Sequence, residues 1–567
     1  MEKPKNLSKR QFLKTGSLGL GSGILAQTAT GILTSRTLLS SGILLSQSAL
    51  SKEKTRSKII ETALGKVQGY VSQGVSVFKG IPYGASTSGS NRFRPPQPAA
   101  PWRGVKESID YGQTTPQTLS PSKKLTEGHG EDCLVLNIWT PAFSASENTS
   151  ASQVKTKRPV MFWCHGGGLS SYSGSSPSYD GTNLCNRGDV VVVTVNHRLN
   201  VMGFCHLAEQ GGEDFASSGT VGMQDLIAAL TWVKTNIEAF GGDPDNVMIF
   251  GESGGGRKVG TLLGMPAAKG LFHRAAIQSG PTIQLVNEED AHILSEKLMA
   301  ELGLKKGEIK KAQQLPPEQI IAAYQKLTRT HGYSATTNGF APVVDGHTLP
   351  YHPFHPKASP VNPDIPLLIG ANRTELTLQM RADKSAFNLT FKDLPKRLSS
   401  VGKDRTNELI TTYRAENPTA SASEIFFLIV SDARYVIPCQ VIAERRAALK
   451  AAPVYSYYLT WKTNTFNGQL MTPHALDIPF VFDNTDTEKT VYGFTTGTKE
   501  ERDLADKISD TWIAFARSGN PNNNKIPTWK EYSEDQRHQM ILDNDIKLAN
   551  DPIKNQRIIM SDVLGLS

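Results

Sequence analysis

The run GESGGG, Gly251 to Gly256, holds the side chain best placed for chemistry, Ser253, between glycines. It directly follows the short apolar run VMIF, Val247 to Phe250, and precedes RKVGTLLGM, which has helical character. A serine at a strand-to-helix turn forms a nucleophile elbow, because the tight turn excludes bulky neighbours and lifts the hydroxyl above the sheet. The helix start behind it favours negative charge developing nearby. Alone, such a run is also read as a plain glycine turn, so its weight depends on its company. That company is HGGG, His165 to Gly168, which follows a second apolar run, VMFWC. Glycines there let the backbone N–H groups of Gly167 and Gly168 approach a substrate oxygen, as an oxyanion hole requires, and Gly254 adds a third N–H. One such donor is worth roughly 10²- to 10³-fold in turnover.

These residues need elements to carry them. LVLNIW (Leu134 to Trp139), VMFWC (Val160 to Cys164), VVVVTV (Val190 to Val195) and VMIF are short, apolar and bounded by Gly, Asp or Asn. Such runs suit strands covered on both faces of a largely parallel sheet. Between the last two, Gly222 to Phe240 predicts a helix, with Leu226, Leu230, Val233 and Ile237 at three- and four-residue spacing; GGDPDN, Gly241 to Asn246, is expected to end it and turn the chain. Strand, helix, turn and strand make a βαβ unit, hence an α/β fold. Lys58 to Tyr70 reads as strand pieces about a glycine turn, Asp503 to Ser518 as a helix, and Ser144 to Lys157 as an exposed loop. No internal repeat is visible.

Composition narrows the class only broadly: 38% hydrophobic and 20% charged residues, with 49 Gly and 32 Pro in 567 residues, describe a loop-rich globular enzyme of one to three domains. The net charge of +8 sits largely in the leader, where Lys3, Lys5, Lys9, Arg10, Lys14 and Arg36 face Glu2 alone. The near-neutral remainder offers no footprint for phosphate backbones, so no nucleic-acid partner is expected. SKRQFLK, Ser8 to Lys14, followed by a mildly apolar run to Leu33, resembles a twin-arginine export signal with Lys9 in place of the first arginine. Residues 1–48 are therefore expected to direct export, with Ser46 and Ser48 offering a cleavage site. No later run reaches ~20 consecutive apolar residues, so no membrane span is expected. Five cysteines, Cys133, Cys164, Cys185, Cys205 and Cys439, form an odd set without CxxC spacing, which argues against a zinc site or a redox pair. Cys164, inside VMFWC, reads as a small buried hydrophobe.

The matching pieces extend far beyond the two glycine runs. FKGIPYG, RFRPPQP, EDCLVLNIWTP, HGGG, NHRLNVMGF, AFGGDPDNVMIFGESGGG, HRAAIQSG, HALDIPFVF and FARSGNPN, from Gly65 to Asp543, are similar in order and spacing to the type B carboxylesterases, the family of para-nitrobenzyl esterases and cholinesterases. The resemblance implies an α/β-hydrolase fold, a central mostly parallel twisted sheet flanked by helices in a single large domain over residues 57–567. It implies acyl transfer to serine followed by hydrolysis of a small-molecule ester. The family's acid follows a Gly-x-Asn segment, here GANRTE, and so falls on Glu375; its histidine opens HALDIPFVF and so falls on His474. The chain order Ser253, Glu375, His474 agrees with this fold. No metal or organic cofactor is needed for such chemistry. A non-catalytic relative of the same fold would lack the serine or the histidine.

The sequence also departs from the pattern. Thr115 stands where the family often has the cysteine that pairs with Cys133, so that disulfide is not expected. The loop from Thr115 to Cys133 contains no Trp, which argues against a choline ester. Leu169 replaces a Phe, and Gly254 stands where many members have Ala; both are expected to change pocket shape more than chemistry. Arg257 and Lys258 read as structural charges on the helix, the alternative being attraction for an acidic substrate. His352 and His355 read as loop residues without a third metal ligand. The segments Gly280 to Val286 and His331 to Phe340 are expected to shape the pocket, and neither acyl preference nor oligomeric state is written in the sequence.

Overall fold

The computed structural model describes residues 55–118, 128–142, 157–331, 339–486 and 492–566. Residues 1–48, expected to direct export, most of the Ser144 to Lys157 loop and part of both the Thr115 to Cys133 and His331 to Phe340 segments lie outside the described residues.

Fifteen strands follow one another as β1 (Arg56–Thr62), β2 (Gly65–Ser72), β3 (Val75–Pro82), β4 (Val105–Glu107), β5 (Val135–Pro141), β6 (Arg158–Cys164), β7 (Val191–Val195) and β8 (Gly242–Glu252), then β9 (Arg274–Gln278), β10 (Val286–Asn287), β11 (Val343–Val344), β12 (Leu367–Asn372), β13 (Val454–Leu459), β14 (His538–Leu542) and β15 (Lys547–Asn550). Thirteen form one sheet in the order β1-β2-β3-β5-β7-β6-β8-β9-β12-β13-β14-β15, with β4 beside β2. From β7 to β14 every pairing is parallel, while both flanks are antiparallel apart from the short parallel pair of β2 and β4.

The parallel block explains why its strands read as unbroken apolar runs. In β8, Val247 and Ile249 belong to one buried core, and Met248 and Phe250 to the other; Phe162 and Trp163 of β6 divide the same way. Each face is then closed by a helix. Val221–Asn236 buries Leu226, Leu230 and Val233 against one, as the spacing predicts, and Lys499–Ser518 buries Leu504, Ile508, Trp512 and Phe515 against the other. Full burial of a Leu or Phe is worth about 1.5–3 kcal/mol. The second helix starts on a capping box between Thr498 and Glu501 and ends at Gly519 (φ 78°).

The expected turn at GGDPDN is shorter than the sequence suggests. It is confined to Gly241, left-handed at φ 80°, and β8 already begins at Gly242. Arg158 opposite draws this segment into the ladder, its N–H donating to the Gly241 carbonyl at 3.0 Å, and the register shifts between Arg158 and Val160 absorb the extra residues.

Among the described residues one helical run, Ala422–Ala447, is long and apolar enough to cross a membrane, and 78% of its apolar window lies buried inside the protein. It contains a π-helical turn, Asp432–Val436, whose position becomes relevant at the site. All five cysteines are buried and free. Burial pushes the Cys133 thiol up to about 12, and the buried Thr115 lies beside it, where a disulfide partner would stand.

Candidate active site

The sequence-derived residues converge at the carboxyl ends of four strands of the parallel block, with β9 standing between the second and third of them, the edge where open α/β sheets bind ligands. HGGG follows β6, Ser253 follows β8, Glu375 follows β12, and His474 lies in the loop after β13. The register pairs Cys164 with Gly251, which sets the HGGG loop directly beside the elbow.

Ser253 has φ 57° and ψ −120°, a conformation costing about 1–3 kcal/mol in a non-glycine residue. It is held there by its own N–H donating to Gln278 O at 2.8 Å and by Arg257 N–H donating to Ser253 O at 3.1 Å. The flanking glycines are required by close approach: a Cβ on Gly255 would overlap the Cys164 carbonyl oxygen, and one on Gly254 the Gly168 carbonyl oxygen. The serine hydroxyl caps nothing on the following helix, Gly254–Leu262. Gly167 and Gly168 take φ 87° and 70°. Among the described residues no protein acceptor receives the N–H groups of Gly167, Gly168 or Gly254.

Glu375 and His474 meet directly, Nδ1 to Oε2 at 2.5 Å, with the carboxylate fully buried. The other carboxylate oxygen accepts the Asn372 N–H at 2.7 Å, so both are engaged. The histidine loop is tied to the acid by its backbone as well: His474 N–H donates to Glu375 O at 3.1 Å, and Asn372 Nδ2 to Pro473 O at 2.8 Å. Nε2 faces the next residue back from the serine, lying 3.1 Å from Glu252 Oε1, and no hydrogen bond joins it to Ser253. Contacts between base and nucleophile commonly tighten only when substrate is bound.

This geometry has a counterpart in known proteins: residues 56–559 match the model of the Carboxylesterase family. The chain belongs to the carboxylesterase family. It is 35% identical to the para-nitrobenzyl esterase of Bacillus subtilis, covering 88% of this chain and 98% of that protein. Identity to the phenmedipham hydrolase of Pseudarthrobacter oxydans is 30%, over 87% of this chain and 97% of that protein. Among solved structures, the carboxylesterase EST55 of Geobacillus stearothermophilus at pH 6.2 superposes with a TM-score of 0.76 at 36% identity, covering 88% of this chain and 99% of its own. The architecture is thus the α/β-hydrolase fold, and this carboxylesterase is an ester hydrolase.

Two residues of the carboxylesterase site escaped the sequence reading. Glu252 is buried, and burial pushes its carboxyl up to about 8 despite the histidine beside it. Burial also pulls the His474 imidazole down, but Glu252, Tyr435 and Glu375 outweigh it and hold the imidazole well above its ordinary range. Each shifts the other through space, the imidazole lowering the Glu252 carboxyl and the carboxylate raising the imidazole. Glu252 sat in plain view inside GESGGG, overshadowed by the serine. Tyr435 packs on His474 with ring centroids 4.8 Å apart and is carried by the π-helical turn, which no sequence periodicity announces. Replacing Glu252 with Gln removes an anion from Nε2, so the His474 pKa falls. The acid limb of the kcat/KM profile is expected to move to lower pH by about 1–3 units, as a pH series from 5 to 9 would read directly. An unmoved limb would show that Glu252 does not control the base.

The remaining expectations resolve individually. Leu169 is buried in the core rather than lining open space. Gly254 affects the oxyanion loop itself, since its missing Cβ leaves room for the Gly168 carbonyl. His352 serves as an acceptor for the Leu285 N–H at 3.2 Å. Lys258, read as a structural charge on the helix, is fully buried beneath the HGGG loop.

Proposed function

We propose that the protein hydrolyses small carboxylic esters through an acyl-enzyme on Ser253, with His474 as general base and Glu375 as the acid that orients it. The backbone N–H groups of Gly167, Gly168 and Gly254 form the oxyanion hole. The observation carrying this reading is the buried 2.5 Å contact between His474 Nδ1 and Glu375 Oε2 at the same sheet edge as the strained Ser253. A carboxylate on Nδ1 fixes that proton and leaves Nε2 to accept another. His474 takes the Ser253 proton as the hydroxyl attacks the ester carbonyl, and returns it to the departing alcohol while Glu375 stabilises the imidazolium. Water then repeats the cycle on the acyl-enzyme.

Para-nitrobenzyl ester and phenmedipham hydrolysis, the activities named for two relatives, support aryl-bearing esters as the first substrates to try. A matched ester and amide pair separates esterase from amidase action. The decisive experiment is to treat the purified protein with an alkyl fluorophosphonate and map the modified peptide while following para-nitrophenyl ester turnover. One label on Ser253, with turnover lost in proportion, is the expected result; a label elsewhere rejects the assignment.

We further infer that residues 1–48 act as an export signal and deliver the enzyme to the periplasm or the extracellular space. The basic SKRQFLK segment ahead of a mildly apolar run supports this. Cell fractionation with N-terminal sequencing of the accumulated enzyme tests it, and an intact leader on cytoplasmic enzyme would reject it.

A further inference from the structure

The helix Gly254–Leu262 that leaves the nucleophile carries Lys258 on its second turn. The side chain is 0% exposed, and its Nζ donates to the carbonyl oxygen of His165, the first residue of HGGG, at 2.8 Å. Among the described residues no carboxylate forms an ion pair with it. Burial brings the ammonium down to about 7, and the titratable group that opposes this shift is the Cys164 thiol, itself pushed up to about 12 by burial. The His165 and His197 rings stack nearby with centroids 5.0 Å apart. Both imidazoles are held well below their ordinary range, by burial first and then by Lys258.

A group that carries charge near neutrality is costly to bury without an anion. A methionine would fill the same space with its stem and spare the fold that cost, so packing alone gives no reason for a lysine here. What the ammonium adds is direction. The glycine contacts between helix and loop, Gly255 under the Cys164 carbonyl and Gly254 under the Gly168 carbonyl, only permit close approach. Ser170 and Ser171 hold the Gly167 carbonyl from within the loop, whereas the Lys258 bond reaches in from the nucleophile helix and aims the peptide unit that begins the segment whose next N–H groups belong to Gly167 and Gly168.

We propose that Lys258 is a positioning residue for the oxyanion hole: by holding the His165 carbonyl it orients the HGGG loop so that the Gly167 and Gly168 N–H groups face the developing oxyanion. This rests on the reading of Ser253 as nucleophile and of those glycines as donors. Oxyanion donors act by preorganisation, so a loop free to tilt loses turnover more than substrate binding.

The test compares the parent enzyme with Lys258→Met and Lys258→Gln. Lys258→Met is expected to lower kcat on para-nitrophenyl butyrate by about 10- to 100-fold, part of the loss seen when a donor is removed outright. KM should stay within about threefold, and Tm should hold or rise, since the buried ammonium is gone. Affinity for a trifluoromethyl ketone, whose adduct mimics the tetrahedral intermediate, should fall in step with kcat. Lys258→Gln, which keeps an N–H donor, should recover part of the loss. Stoichiometric fluorophosphonate labelling of Ser253 in the parent checks the underlying reading separately. With that label in place, an unchanged kcat in Lys258→Met overturns the positioning role. Activity that falls only in proportion to the folded fraction in both variants, or a collapse of Tm in both, also overturns it and makes Lys258 structural.

Discussion

Ser253→Ala is expected to lower kcat on para-nitrophenyl esters by roughly 10⁶-fold, the loss found when the nucleophile is removed from a serine hydrolase. The substitution is unusually clean here. Alanine keeps the Cβ, so the strained φ of 57° is no worse than before. The Ser253 hydroxyl makes no hydrogen bond among the described residues, so its loss orphans no buried partner, and stability should change by less than about 0.5 kcal/mol. Residual hydrolysis above the solvent rate should persist, because the backbone donors and the binding site remain. Steady-state rates on the purified variant, with circular dichroism to match folded content, read both parts. Full activity in a folded variant would mean that another group attacks the ester.

Glu375→Gln should cost about 10³- to 10⁴-fold in kcat. Both carboxylate oxygens act as acceptors, Oε1 for the Asn372 N–H at 2.7 Å and Oε2 for His474 Nδ1 at 2.5 Å. An amide has one acceptor oxygen and an NH₂ group, so one of those positions must face a donor. If the amide nitrogen faces His474, the ring must present an unprotonated Nδ1 and carry its proton on Nε2, where it cannot accept from serine. If the oxygen faces His474, the NH₂ opposes the Asn372 N–H and the buried loop loosens. Either way the imidazolium formed during attack loses its counter-charge. Little change in KM is expected, since Glu375 lies behind the histidine at 0% exposure and out of reach of substrate. A loss below tenfold would show that the histidine is oriented by other means.

Local chemistry was legible in the sequence wherever neighbours in the chain are also neighbours in the site. The elbow needs glycines next to the serine, and the oxyanion loop needs successive glycines, so both appear as short runs. The strands of the parallel block were legible because burial on both faces leaves only apolar residues, as Val247 to Phe250 illustrate. The start of β8 was missed because Gly242 joins the ladder through Arg158, a partner far away in the chain. Glu375 and His474 came from family resemblance, since a single carboxylate and a single imidazole in loops have no periodicity to mark them.

Other features were decided by the tertiary structure alone. The mutual electrostatic influence of Glu252 and His474 exists only because the loop after β13 folds back over the elbow and brings Nε2 to 3.1 Å from the carboxyl. The packing of Tyr435 on that ring depends on a π turn in a long buried helix. Lys258 gives the plainest contrast, a charged letter that suggests a helix surface and a side chain that lies wholly inside. The sequence by itself determined the family, the α/β architecture and the candidate nucleophile, because these rest on local steric needs and on which faces are apolar. Proton affinities and the aim of the oxyanion loop were left to the fold, because burial and through-space charge depend on which distant segments close over a group.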